Sequence, residues 1–418
     1  MEADITLMEL LEGLPDPRAA RGKRHPLPAL LSLAVVAMLA GMTTYEAIVD
    51  YGKERGWEFL QLLGFTRRRG LCKATYSRIF RRIDVAAFEA AVSRWICGRL
   101  KPGDTPHLAI DGKTLRGSRD GETPAVHLLS AYAPDVEAVV AQMRVDAKTN
   151  ELKAALEMLA ILPIKGRLIT ADAIQTHRAI CAAVIEGGGD YILPVKDNQP
   201  TLRADIEAAF AEPEAGLSPL QSQRRAACLD RATTVDKGHG RIEKRTLELT
   251  TWLEDYLGDD WPGCRQVFRL QRERRTGEKV EVEVVFGITS LSRERAGAAK
   301  LLDAVRAHWG IENGLHGRRD GTLKEDASRV RKGSGPQVMA VLRNLIIYLC
   351  SFSGKASLAA ATRHYMCHPE KSVELVSTPI REWNGPGKGG CALADVRARE
   401  YISLIRPGMR RRVLTPPR

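Results

Sequence analysis

A chain of 418 residues with 44% hydrophobic composition has ample material for a packed core and length for two or three domains, which excludes a disordered or fibrous protein. Its 63 Lys and Arg against 51 Asp and Glu leave a net charge of +12, so an anionic partner is expected, nucleic acid being the commonest for a protein of this size. The eight cysteines are scattered with no CxxC pair, which excludes a disulfide scaffold and a zinc ribbon and fits reduced thiols inside a cell.

Residues 1 to about 100 read as helical throughout. The run from Pro26 to Tyr45 carries no formal charge and follows Arg18, Arg21, Lys23 and Arg24, the flank of a membrane or signal helix. Acidic residues precede that basic cluster, and Pro28, Ser32, Gly41, Thr43 and Thr44 dilute the apolar run, so a buried helix is expected and no membrane contact. Thr44 is placed to cap a following helix through Tyr45, Ile48 and Val49. Between Phe59 and Ile83 there is no acid, while Arg67, Arg68, Arg69, Lys73, Arg78, Arg81 and Arg82 accumulate. Thr75 is expected to cap a helix whose Ile79, Phe80 and Ile83 face the core and whose Arg78, Arg81 and Arg82 face a phosphate backbone; a solvated basic face has the same pattern.

After a Pro- and Gly-containing linker at residues 101–106 the texture becomes mixed. Strands are expected at 107–111, 126–132 and 138–145, a helix at 150–162, and a fourth strand at 166–171 ending on Asp172. Thr176 is read as the cap of a helix over Ile180, Val184 and Ile185, with a fifth strand at 191–195. Asp111 ends the first strand and Asp172 the fourth. If those strands are neighbours, two carboxylates meet at one sheet edge, a setting suited to a hard cation such as Mg²⁺.

From about 200 to 290 the alternation reads as a β-rich insertion, and its turn Gly238-His239-Gly240-Arg241 is either a DNA contact or a polar hairpin. Helical texture returns at 298–305. In the following His308 to His316, spacings of four place His308, Glu312 and His316 on one helix face. Glu312 is the natural third carboxylate; Glu325 and Asp326 are weaker alternatives, and a His-Glu-His zinc site is the rival. Residues 327–349 read as helix, and beyond about 365 the chain reads as a basic, flexible tail. Gly112-Lys113-Thr114 lacks the first glycine of a P-loop, and the run His364 to His368 lacks the paired cysteines of a zinc site.

These motifs together resemble one family. Asp111-Gly112-Lys113 with Arg116-Gly117-Ser118, Asp172-Ala173 with Gln175, Gly188-Gly189-Asp190-Tyr191 leading to Lys196 and Asn198-Gln199, His239-Gly240-Arg241, and His308-Trp309 with Ile311-Glu312-Asn313, Leu315-His316 and Glu325-Asp326 resemble bacterial insertion-sequence transposases of the H-repeat-associated group, in the DDE superfamily. Residues 16 to 100, with Asp16-Pro17-Arg18, resemble that group's associated N-terminal domain.

The resemblance implies an α/β fold: an RNase H-like catalytic core at 101–365 carrying the β-rich insertion, preceded by an all-α DNA-binding domain at 1–100 and followed by a basic flexible tail at 366–418. It implies Asp111, Asp172 and Glu312 as catalytic and metal-binding residues holding two Mg²⁺ or Mn²⁺ ions, for cleavage of element ends and strand transfer. Double-stranded DNA, as terminal inverted repeats and as target, is the implied partner of a homo-oligomer in the bacterial cytoplasm, associated with the nucleoid. Lys113, Arg116, Lys196, Arg241 and His308 become candidates for phosphate contact, with His239 on the same turn as Arg241; Asn198, Gln199, Asn313 and His316 would position DNA. Val305 and His308 stand where related transposases carry a tyrosine and an arginine. Gly317-Arg318-Arg319 replaces apolar family positions before Asp320, which predicts looser packing of the helix bearing Glu312. A decayed DNA-binding relic and a metal-dependent nuclease without strand transfer are the alternative functions.

Overall fold

The computed structural model describes residues 5–99, 106–145, 150–211, 219–238 and 240–379; His239, most of the 101–106 linker and the chain beyond 379 lie outside the described residues. The first hundred residues form α1 (Leu7–Glu12), α2 (Leu27–Leu39), α3 (Tyr45–Arg55), α4 (Trp57–Leu62), α5 (Lys73–Phe80) and α6 (Val85–Cys97). Nine strands follow, β1 (His107–Thr114), β2 (His127–Ala133), β3 (Ala138–Val145), β4 (Leu168–Ala171), β5 (Asp190–Val195), β6 (Leu229–Gly238), β7 (Arg241–Thr250), β8 (Gln266–Thr276) and β9 (Lys279–Thr289). Between them lie α7 (Glu151–Ile161), α8 (Arg178–Glu186), α9 (Pro200–Phe210), α10 (Pro219–Ala227) and α11 (Glu254–Leu257). The chain continues through α12 (Ala298–His308), α13 (Gly317–Gly321), α14 (Gly335–Ser351), α15 (Leu358–Cys367) and α16 (Pro369–Ser377).

The charge-free run forms α2. Pro28 sits in its first turn, where a missing N–H costs no helical hydrogen bond, and the chain leaves the helix at Gly41 with φ +87°. Every residue of α2 except Pro28 is buried, packed by α1, α3, α14, α15 and α16. An all-round apolar helix belongs in a core or a membrane; no helix among the described residues is long and apolar enough to cross a membrane. Thr44 caps α3 as expected, its hydroxyl accepting the Ala47 N–H at 3.2 Å. Thr75 does not cap α5. The helix already begins at Lys73 after extended Cys72, and Thr75 lies inside the first turn with its hydroxyl 3.4 Å from Cys72 Sγ. Tyr76, Ile79, Phe80 and Ile83 are buried, leaving Arg78, Arg81 and Arg82 exposed.

The strands make one sheet in the order β3-β2-β1-β4-β5-β9-β8-β7-β6. β1, β4 and β5 run parallel and all other pairings are antiparallel. The β-rich region expected as an insertion extends the same sheet: β9 joins β5 in register from Ile192↔Thr289 to Val195↔Phe286. It also opens with two helices, α9 and α10, where alternation alone was expected. β1 does not end at Asp111. It pairs with β2 as far as Thr114↔His127, so the strand continues through Gly112, where a Cβ would lie 2.7 Å from His127 Nε2. Thr176 does not cap α8 either, since its hydroxyl is drawn to the Pro194 carbonyl of β5.

α12 packs on β1, β4, β6 and β7, α7 on β2 and β3, α8 on β5, and α6 and α14 on β3. The N-terminal helices and the inner strands share one apolar cluster. Only the second part of the 327–349 segment is helical, α14 starting at Gly335. The fold also runs past residue 365: α16 packs against α1 and α2, with Val373, Leu375 and Val376 buried. Apolar spacing in so short a helix is easily missed beside a Gly- and Arg-rich continuation.

Candidate active site

The parallel register Ile110↔Ala171 brings Asp111 and Asp172 to matching positions on neighbouring strands. Asp111 Oδ1 accepts its neighbour's N–H from Gly112 at 2.8 Å, and Asp172 Oδ1 that of Ala173 at 2.6 Å, where it starts a short 3₁₀ turn. The third carboxylate arrives from α12. After Trp309 the chain passes through a π-helical stretch, Ile311–His316, before α13. Such widened turns are frequent at functional sites. Ile311 and Leu315 are fully buried and pin the stretch, while Glu312 lines a cavity of about 470 Å³ together with Asp111 and Asp172. Lys196, His308 and Trp309 also line it, as do Arg241, Arg245, Arg272 and Arg274 of β7 and β8. Arg272 lies over the Trp309 ring at 3.4 Å from its centroid.

Charge is concentrated here. Burial, opposed by the Gly112 N–H and reinforced by Asp172, Glu312 and Glu151, pushes the Asp111 carboxyl up to about 7. Glu151 was not singled out from the sequence. It opens α7 behind the Asn150 cap, lies 2.7 Å from His127 Nε2 and accepts Gln175 Nε2 at 3.1 Å. A capped helix start directly after β3 was the available signal.

His308, expected to contact phosphate, and His316, expected to position DNA, both make contacts within the protein. Burial brings His308 down to about 4; burial, then Arg319 and Lys113, bring His316 to about 3, so both rings are neutral at pH 7. His308 Nδ1 lies 2.8 Å from Thr170 Oγ1, which is also 2.7 Å from His107 Nε2, and His316 Nδ1 lies 3.4 Å from Asp111 Oδ2. Lys113 is paired with Asp320, tying β1 to α13. Asn198 and Gln199 donate to the carbonyls of Ala173 and Thr176, bracing the loop after Asp172. Arg241 Nε is 2.9 Å from Glu243 on the cavity rim, and exposed Lys196 is 3.8 Å from Asp172. Exposed Arg116 is 3.8 Å from Asp326. The backbone of Asn313 is in the π-helical stretch, and His239 lies outside the described residues.

Arg318 and Arg319 do not loosen the helix. Arg318 makes a two-pronged pair with Glu137 at 2.6 and 2.7 Å, and fully buried Arg319 one with Glu325 at 2.7 and 2.9 Å, with Arg343 beside it at 3.4 Å. This occupation also removes Glu325 as a third site carboxylate. Among the described residues no three His, Cys, Asp or Glu side chains close around one point tightly enough to form a metal cluster. The three carboxylates form an open wall instead. Their hard oxygens, and a half-buried Asp111 whose ionised form needs a nearby cation, fit Mg²⁺ or Mn²⁺ by donor chemistry.

Residues 102–350 match the family model described as Transposase DDE domain, and residues 8–96 the one described as DDE_Tnp_1-associated. The chain is 37% identical over 290 residues to a protein in the dhlA 3′ region of Xanthobacter autotrophicus, covering 67% of this chain and 92% of that one. It is 30% identical over 379 residues to the "H repeat-associated putative transposase YhhI" of Escherichia coli K12, covering 86% and 96%. A piggyBac transposase synaptic complex with hairpin DNA aligns at TM-score 0.44 and 12% identity, over 97% of this chain and 82% of that chain. On the family match across the sheet and its helices, and on relatives spanned almost end to end, this chain belongs to the DDE transposase family of mobile genetic elements.

Proposed function

We propose that the chain is an active DNA transposase whose Asp111, Asp172 and Glu312 hold divalent metal ions and carry out cleavage and strand transfer at element ends. The observation that carries this reading is the β1–β4 register, which sets two aspartates side by side in the cavity that Glu312 also lines. Two bound Mg²⁺ or Mn²⁺ ions would activate a water or 3′-hydroxyl and stabilise the departing oxygen at phosphorus. The chain's own residues do the rest. Arg241, Arg272 and Arg274 present positive charge to a phosphate backbone in the cavity that the carboxylates line, and Lys196 does so beside Asp172. Neutral His316 stands against Asp111 and holds that carboxyl in place without neutralising it. Asn198 and Gln199 act indirectly, by fixing the loop behind Asp172.

The proposed division is an all-α associated domain to about residue 100, then an RNase H-like catalytic core. The strand order β3-β2-β1-β4-β5, with parallel β1, β4 and β5, supports that core, and β6 to β9 are its extension. Its substrates are the element's terminal repeats and target DNA, engaged by more than one copy of the chain in the bacterial nucleoid. Labelled duplexes carrying the element ends, incubated with protein and Mg²⁺, test the proposal: wild type nicks and joins them. Asp111→Asn loses cleavage by about a thousand-fold or more while binding persists. Full cleavage by that variant overturns the assignment; binding without cutting by wild type indicates a decayed relic, and nicking without joining a nuclease.

A further inference from the structure

The irregular segment between α13 and α14 is clamped at both ends by glycines. A Cβ on Gly117, just after β1, would collide with the Ser328 carbonyl, and Gly333, at φ +57°, fits so closely over the Arg81 carbonyl that a Cβ would collide there too. Ser334 N–H donates to that same Arg81 carbonyl at 3.3 Å, and Arg331 Nε donates to the Gly117 carbonyl at 3.3 Å. Val330 packs inward on the apolar cluster while Arg329 and Arg331 on either side of it are exposed. Residues 326–334 are therefore a fixed strap joining the end of α5 to the loop after β1. Along it, exposed cations run from Arg81 and Arg82 through Arg331 and Arg329 to Arg119 and Arg116. Lys332 is paired with Asp120 and Arg116 lies near Asp326, but Arg81, Arg82, Arg119 and Arg329 have no carboxylate partner among the described residues.

We propose that this strap is a phosphate-contacting surface for duplex DNA, with Arg329 and Arg331 carrying one continuous duplex from the basic face of α5 to the strand that bears Asp111. The ligand follows from the transposase reading; the surface follows from the clamp and from a row of exposed cations in which Arg81, Arg82, Arg119 and Arg329 have no carboxylate partner among the described residues. A row of exposed guanidinium groups, most of them without a carboxylate partner among the described residues, complements a polyanion, and each phosphate neutralised steepens the salt dependence of binding by about 0.9 in log K against log salt.

The test is duplex binding by the full chain in EDTA across a salt series, so that no metal chemistry enters. Arg329→Gln with Arg331→Gln makes the salt slope shallower by about 2, equally for end and unrelated duplexes, with an unchanged melting temperature. If the loss of the Arg331–Gly117 bond unfolds that variant, Arg329→Gln alone, which breaks no hydrogen bond or ion pair among the described residues, still makes the slope shallower by about 1. An unchanged slope in a folded variant overturns the strap. Wild type that binds through the strap yet fails to cut with Mg²⁺ overturns the transposase reading and leaves the strap standing; wild type that cuts, with variants of unchanged slope, overturns the strap alone.

Discussion

The two halves of the sheet are built differently. β1 to β5 are four to eight residues long and mostly buried, β1 and β3 emerging at their C-terminal ends, with Leu108, Ile110, Leu129, Ala131, Tyr191 and Leu193 in one apolar cluster under helices. β6 to β9 are ten or eleven residues long and buried only toward the end nearest the core, at residues such as Leu247, Leu249, Phe268 and Ile288. Their outer parts expose Val235, Ile242, Val280, Val282 and Val284 on one face, and on the other carry cross-strand pairs such as Arg272–Glu283 and Arg245–Asp236. Apolar burial thus holds the half that sets the distance between Asp111 and Asp172. A backbone ladder with charge pairs, anchored by a smaller apolar cluster at its inner end, holds the half that brings arginines to the same cavity. Exposed pairs such as Lys279–Glu281 add little stability, so such positions can vary their charges at small cost to the fold, whereas Arg245 is buried.

The contrast predicts a graded set of responses. Leu129→Ala, in the middle of β2, empties a fully buried site and is expected to destabilise by about 2–5 kcal/mol in denaturant unfolding; a loss under 1 kcal/mol would deny that the inner half is held by burial. Next comes the seam between the inner sheet and its helices, where Glu89 of α6 accepts Gln142 Nε2 at 2.8 Å and Gln337 Nε2 at 3.0 Å. Burial pushes its carboxyl from 4.5 up to about 7 despite those donors. A carboxyl raised on folding stabilises while protonated, so its contribution is complete below about pH 4.5 and is lost as pH rises through 7. Glu89→Gln should remove that loss, up to about 3 kcal/mol, so its stability relative to wild type improves from pH 5 to pH 8. Parallel pH profiles for the two proteins would contradict this. Smallest of all, Val282→Thr on the exposed face of β9 should shift stability by no more than about 0.5 kcal/mol, and a larger loss would mean that the outer face is covered.

Local pattern made much of the fold legible. The order of three strands, helix, strand, helix, strand, the buried α2 and the Thr44 cap are all as expected, because period and capping chemistry act over a few residues. The paired aspartates were legible for the same reason, both standing at or near the ends of apolar runs. The misplaced details have tertiary causes. Thr75 and Thr176 look like caps, but one helix starts earlier and the other hydroxyl is taken by β5. Lys113 and His308, expected at phosphates, also have partners within the protein, Asp320 and Thr170, that no local pattern shows. Arg318 and Arg319 look like damage until Glu137 and Glu325, distant in sequence or across a turn, supply their counter-charges.

The amino-acid sequence by itself determined the basic charge, the apolar runs, the three carboxylates and the family they resemble, since each is a property of residue identity at short spacing. Only the tertiary structure decided that β6 to β9 prolong the inner sheet, that the Glu312 segment is π-helical, that Glu151 adds to the charge at Asp111, and that residues 326–334 bind α5 to β1. Each of these depends on which distant groups meet, and therefore on long-range hydrogen-bond partners and burial that no local pattern encodes.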